Sequence, residues 1–157
     1  IAYGTVKNLA YFSCLYNESY NRFNIDYINV KQFHLNANYS KKINRIIDLN
    51  INLDYYNWNQ NVYNNPSFFA NFSAPINLRG KIKINPLIGY IGKRIVNDEK
   101  ITPLPSYFYT NLYFYYFYSK QLSAYLEFNN ITNSKHDIWY GYRDIGFNGV
   151  FGLNFSF

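Results

Sequence analysis

The side chains that invite a chemical reading are the carboxylates Asp48, Asp54 and Glu127, the histidines His34 and His136, and the one cysteine, Cys14. Paired carboxylates hydrolyse glycosides as general acid with base or nucleophile, and that work needs particular separations. Here Asp48 and Asp54 bracket Leu-Asn-Ile-Asn-Leu, an alternation that marks a wetted strand face rather than a catalytic pair. A metal centre needs several converging ligands, and no ligand spacing links the two histidines to other donors. Neither a G-x-S-x-G elbow nor a Ser/His/Asp set in a convincing context is present. Cys14 alone cannot form an intrachain disulfide and reads as a small apolar side chain. The chain is therefore read as non-enzymatic, with no catalytic residue, no metal ligand and no cofactor.

A second kind of chemistry belongs to the aromatic residues in polar connections: Trp58 and Tyr63 in one, Trp139, Tyr140 and Tyr142 in another. Such rings stack on a sugar or on the ring of a chelate, which makes these loops candidates for ligand contact. The competing reading is a membrane-interface girdle, since Trp and Tyr favour the boundary between lipid and water.

The elements that position these residues are strands. Phe33, Leu35, Ala37 and Tyr39 alternate with His34, Asn36, Asn38 and Ser40, and after a basic turn at 41–44 Ile47 to Tyr55 alternates with Asp48 to Tyr56. This period of two predicts a hairpin with one apolar and one polar face. Further strands are predicted at 2–16, 68–74, 82–94, 106–118, 122–129 and 147–157, with Pro75 marking a strand end or a bulge. Pro86, Gly89 and Gly92 interrupt the 82–94 strand. Long loops are expected near residues 20 (17–26), 62, 100 (95–105) and 138, and short turns near 41, 80 and 120. About eight strands with alternating short and long connections, both ends on one side, is the asymmetry of a bacterial outer-membrane barrel.

Composition agrees. Aromatic residues make up 22% of the 157 residues, yet mean hydropathy is slightly negative and no run approaches the roughly 18 apolar residues of a membrane helix. A barrel strand alternates lipid-facing and wetted residues, so its average hydropathy stays low. The net charge of +6 is scattered near turns (Lys41, Lys42, Arg45; Arg79, Lys81, Lys83), which argues against a nucleic-acid partner. The sequence opens on Ile1 with no basic-then-apolar leader, as expected if a signal peptide has been removed or lies outside this stretch.

The last eleven residues, Phe147 to Phe157, place Phe147, Phe151, Leu153, Phe155 and Phe157 on one face. This stretch resembles the terminal strand of outer-membrane β-barrels, with Gly152, Phe155 and Phe157 at the positions of the assembly signal and Val150 where a polar residue is usual. Upstream come the aromatic strand after Leu104-Pro105-Ser106, the Ser119-Lys120-Gln121 turn, Leu122 to Asn133 with its Asn-Asn-Ile-Thr-Asn stretch (Asn129 to Asn133), and Ile138-Trp139-Tyr140-Gly141-Tyr142. Over its last third the chain is similar to the C-terminal end of TonB-dependent outer-membrane receptors of Bacteroidetes-type bacteria.

That resemblance implies an all-β fold, an antiparallel transmembrane β-barrel of which 1–157 is the C-terminal part, with no plug domain visible. It implies TonB-dependent uptake of a scarce nutrient such as an iron chelate, cobalamin or an oligosaccharide. The implied partners are outer-membrane lipid, the barrel assembly machinery, and TonB through a region upstream of this chain. Two alternatives stand beside it: a complete small eight-stranded barrel with a structural or adhesive role, which eight strands can close, and a soluble β-sandwich binding module.

Overall fold

Alternating apolar and polar residues build one antiparallel sheet. The computed structural model describes residues 1–17, 20–96 and 103–157, with the backbone alone described at 13–17 and 20–23. Its strands are β1 (Ala2–Asn17), β2 (Tyr20–Lys42), β3 (Asp48–Trp58), β4 (Phe68–Ser73), β5 (Ile76–Leu78), β6 (Ile82–Ile91), β7 (Arg94–Ile95), β8 (Pro103–Leu104), β9 (Tyr107–Phe117), β10 (Leu122–Asn129), β11 (Asp137–Trp139), β12 (Tyr142–Arg143) and β13 (Asn148–Phe155). The main sheet runs β1-β2-β3-β4-β6-β9-β10-β13, with β5 beside β6; β7 pairs β8 and β11 pairs β12 in two small ribbons. There is no helix among the described residues.

Register keeps each face continuous across the sheet. Tyr39 lies opposite Ile51, Ile51 opposite Phe72, and Phe72 opposite Ile88. At the other end Phe114 faces Leu126 and Leu126 faces Phe151. This apolar face is uncovered: Phe151 is 69%, Leu153 64% and Phe155 60% exposed. A soluble sandwich would bury such a stripe against a second sheet, and no sheet covers it among the described residues. The buried apolar side chains among the described residues are Val30, Val62, Val96 and Leu104, all toward the long-loop end.

The outer strands β1 and β13 each pair with one neighbour, so the sheet is open between them. A closed eight-stranded barrel would join these two edges, and that is not the arrangement observed.

The prolines fall where they cost little. β4 and β5 are one strand kinked at Ala74–Pro75: both pair β6, and the Pro75 carbonyl accepts from the Asp48 N–H at 3.0 Å. The Ala74 N–H donates to the Pro86 carbonyl at 3.2 Å. In an antiparallel ladder a residue's N–H and C=O point to the same neighbour, so the donor Pro86 lacks faces the kink. Hence β6 runs unbroken through Pro86 and Gly89, against the interruption expected there, and ends at Ile91.

One connection differs from expectation. Residues 17–26 were expected to loop because they are polar, but β1 runs to Asn17 and β2 starts at Tyr20, with Asn17 opposite Tyr20 and Phe12 opposite Ile25; residues 18–19 lie outside the described residues. Aromatic and β-branched residues at Tyr20, Phe23, Ile25 and Tyr27 suit a strand, and β1 pairs with them throughout. The result is a two-stranded ribbon extending past the end of β3. A bulge between Val6 and Leu9 bends its base, where the Asn8 N–H donates to Asn29 Oδ1 at 2.8 Å.

The other long connections, 59–67, 92–106 and 130–147, leave the same end of the sheet as this ribbon; the short turns at 43–47, 79–81 and 118–121 leave the opposite end, beside Phe155. Ala2 lies opposite His34, which is itself opposite Tyr56, so β1 starts well short of that end. Within 95–105, the residues 97–102 lie outside the described residues, and 130–147 carries the small β11–β12 ribbon.

The Asn129 to Asn133 stretch has a clear physical task. Asn130 and Asn133 take left-handed backbone angles (φ 48° and 50°) that asparagine tolerates. The Asn130 side chain bonds both the N–H and the carbonyl of Ser134, and Asn133 Oδ1 accepts from the Phe147 N–H at 3.1 Å. The motif thus closes a loop and aims the chain into β13.

Candidate ligand-binding wall

The polar face of β2 and β3 carries an ordered aromatic and amide array. His34 is opposite Tyr56, and Gln32 is opposite Trp58. The His34 and Tyr56 rings stack with centroids 4.2 Å apart, and Tyr56 and Trp58 stack at 5.5 Å, all within 4° of parallel. His34 Nε2 lies 2.7 Å from Asp54 Oδ1. Asn36 Nδ2 donates to the same oxygen at 2.9 Å, and Asn52 Nδ2 donates to Asp54 Oδ2 at 3.1 Å. Trp58 Nε1 donates to Gln32 Oε1 at 3.3 Å. A carboxylate held by three donors is fixed in place, and charge-assisted bonds of this kind are the stronger ones. A recess of about 350 Å³ opens beside the stack, lined by Leu9, Gln32, Asp54, Tyr56, Trp58 and Pro66 among others.

Further round the sheet the polar face is tyrosine-rich. Tyr109 lies across Gly89, and its hydroxyl donates to Asn71 Oδ1 at 2.8 Å; a Cβ on Gly89 would fall 2.0 Å from the ring. Tyr125 lies across Gly152 in the same way, and the Tyr115 hydroxyl donates to Glu127 Oε1 at 3.4 Å.

Above the wall, Arg94 ties the long loops together. Its guanidinium donates to the carbonyls of Asp137 and Ile138, both at 2.6 Å, and to Asn64 Oδ1 at 3.4 Å, and it lies over the Tyr107 ring at 5.3 Å. Burial lowers its proton affinity, the largest influence on it, while Tyr107 and Asp137 oppose that shift; a guanidinium stays charged through this range. His136 stacks on Tyr107 at 3.6 Å with Nε2 3.4 Å from Asp144, and Asp144 accepts from Asn130 Nδ2 at 3.1 Å.

The aromatic residues singled out in the sequence do not form one cluster. Trp58 belongs to the wall, on the polar face with Tyr56 and His34 and opposite the exposed apolar stripe. Tyr63 packs against Tyr11 of the ribbon (5.1 Å), and Trp139 meets Phe12 edge-on (5.1 Å, 86°). Tyr140 packs on Val96 and Leu104, and Tyr142 is 52% exposed in β12. At the opposite end Phe155 and Phe157 meet edge to face at 5.3 Å, both exposed. Of the carboxylates, Asp54 joins the wall, Glu127 meets Tyr115, and Asp48 begins β3 opposite Lys42. No group of three His, Cys, Asp or Glu side chains placed to hold a metal occurs among the described residues. Arg94, Tyr107, Asn130 and Asp144 carry no sequence signal as a group, because their partners are distant in the chain.

At the level of sequence, no family model and no curated protein matches the chain. Solved structures do match. The chain superposes on the copper transporter OprC with a TM-score of 0.74 at 12% identity, covering 99% of this chain and 28% of that one. The ferric enterobactin receptor PfeA of Pseudomonas aeruginosa, as its Q482A mutant with enterobactin, gives 0.69 at 15% identity, covering 98% and 28%. The ferripyoverdine receptor of the Pseudomonas aeruginosa outer membrane, bound to ferripyoverdine, gives 0.65 at 15%, covering 98% and 24%. The fold is therefore a segment of an antiparallel transmembrane β-barrel. The chain spans about a quarter of the length of the structures it matches.

Proposed function

We propose that this chain is part of the wall of an outer-membrane receptor barrel that takes up a scarce nutrient. The observation that carries the reading is the two-faced sheet: an uncovered stripe from Tyr39 to Phe155 on one side and a tyrosine- and asparagine-rich wall on the other. In hydrocarbon every backbone donor and acceptor must be satisfied within the protein. The free edges of β1 and β13 would then be paired by further strands of a larger barrel. Its place is the bacterial outer membrane, and its role is transport rather than catalysis.

Within that reading 1–157 is the C-terminal barrel portion of a TonB-dependent receptor of Bacteroidetes type, supported by the features of its last third. TonB would act through an upstream region, lipid would cover the apolar face, and the barrel assembly machinery would read Gly152, Phe155 and Phe157. Long loops would face outward and short turns the periplasm.

Orientation tests this. In a Cys14→Ala background, single cysteines replacing Asn61 or Lys120 should differ toward a membrane-impermeant maleimide on intact cells. Labelling at position 61 only, with position 120 labelled after lysis, is expected. Labelling of both or neither on intact cells, with both labelled after lysis, would contradict the arrangement.

A further inference from the structure

We propose that the short-turn end of the sheet is a docking surface for anionic phospholipid headgroups of the periplasmic leaflet. This rests on the membrane placement proposed above, with the short turns toward the periplasm, and not on what the receptor carries.

Cations that are scattered in the sequence come together in the fold. Lys41, Lys42 and Arg45 surround the first short turn, Arg79, Lys81 and Lys83 the second, and Lys120 stands in the third, with Asp48 the one carboxylate beside them. The rest of the sequence carries eight Lys and Arg against eight Asp and Glu, so the net charge of +6 belongs wholly to this end. Among the described residues none of these cations is ion-paired.

Backbone bonds set the turns in one row. The Asn77 N–H donates to the Ile46 carbonyl at 2.7 Å, joining the first turn to β5. The Phe117 N–H donates to the Lys81 carbonyl at 2.8 Å, joining the second to β9. At the second tip Arg79 and Gly80 both take left-handed angles (φ 52° and 71°), as a two-residue hairpin turn requires.

The position of the charges relative to the apolar stripe selects the partner. Lys41 continues the stripe itself, two residues beyond Tyr39 on the same face and opposite Leu49. Arg45 lies between the exposed Ile43 and Ile46, Arg79 follows the exposed Leu78, and Lys120 comes soon after the exposed Tyr118. Lys42 and Lys83 belong to the polar face instead, Lys83 over the Phe117 ring. A soluble anion would satisfy the charges and leave these apolar side chains in water. A bilayer surface satisfies both, because hydrocarbon and interface take Ile43, Ile46, Leu78 and Tyr118 while the phosphates just beyond take the cations. A lysine stem lies along apolar surface with its ammonium in the polar layer, and a guanidinium fork fits a phosphate.

The test uses the full-length protein in a cysteine-free background, with Gln121→Cys carrying a fluorescent donor, inserted into phosphatidylcholine nanodiscs. Energy transfer to a trace of acyl-labelled phosphatidylglycerol is compared with transfer to acyl-labelled phosphatidylcholine. At low salt the anionic lipid should be enriched roughly two- to threefold around the donor, and the enrichment should vanish in about 1 M sodium chloride. Combining Lys41→Gln, Arg45→Gln, Arg79→Gln and Lys120→Gln should abolish it, whereas Lys31→Gln, Lys93→Gln, Lys135→Gln and Arg143→Gln together should leave it intact. Heat-dependent gel mobility checks folding, and the salt titration of the unsubstituted protein decides the matter should the fourfold variant not insert. Equal transfer to the two lipids by inserted protein overturns this inference and leaves the membrane placement standing. Enrichment that survives loss of the four charges, survives the salt, or disappears in the long-loop variant overturns the site. Failure of the unsubstituted protein to insert overturns the membrane placement and this inference with it.

Discussion

The Tyr125 ring lies flat across Gly152, its partner on the neighbouring strand, so closely that a Cβ there would fall 2.3 Å from the ring. Gly152 therefore has a packing reason to be glycine, whatever else reads it. The two reasons can be separated. Gly152→Ala should lower the folded fraction in the outer membrane, with a cost of about 1–3 kcal/mol as for other overpacked sites. If the cost is steric, adding Tyr125→Ala should recover most of the loss, as measured by heat-dependent gel mobility. A double variant no better than Gly152→Ala would mean that the glycine acts through the assembly machinery instead.

The end of the chain makes a different prediction. Phe155 and Phe157 meet edge to face and Phe157 is fully exposed, so Phe157→Ser removes little packing from the sheet. It should nevertheless reduce membrane insertion far more than Tyr63→Ser. Equal insertion of the two variants, quantified in outer-membrane fractions, would set aside the role of Phe157 as an assembly signal.

Arg94 predicts local, not global, loosening. Its two carbonyl bonds at 2.6 Å need a planar fork, which lysine lacks. Arg94→Lys should speed proteolysis within 130–147 severalfold while the strands keep their heat-dependent mobility. Unchanged cleavage would mean that Tyr140 on Val96 and Leu104 holds the loop without it.

Pro86 should be replaceable. Because its missing donor faces the kink at Ala74–Pro75, Pro86→Ala should shift stability by less than about 1 kcal/mol. Leu87→Pro, one residue on and opposite Ser73 and Asn111, should cost about 3 kcal/mol or more by breaking the ladder. Chemical unfolding in detergent or lipid compares them, and similar losses would contradict the assignment of edges.

How much of this was legible beforehand follows from the range of each interaction. The period of two from Leu35 to Tyr55 and from Phe147 to Phe157 is local, and it placed both faces correctly. The strand at 20–26 was hidden because the stretch is largely polar, and only pairing such as that of Tyr11 with Asp26 and Phe12 with Ile25 makes it strand. Trp58 was visible as an aromatic of interest, but its place on the wetted face depends on continuing the β3 alternation beyond Tyr56. Arg94 meets carbonyls 43 and 44 residues away, and no spacing in the sequence announces that.

The central claim is that these strands belong to a barrel several times larger, and the intact mass of the native polypeptide tests it most directly. Mass spectrometry of the protein extracted from outer-membrane fractions should give a value several-fold above 18.7 kDa, since the chain spans about a quarter of the receptors it matches. A native mass near 18.7 kDa would contradict the account, leaving β1 and β13 to close on each other or on a second copy and removing the case for receptor transport.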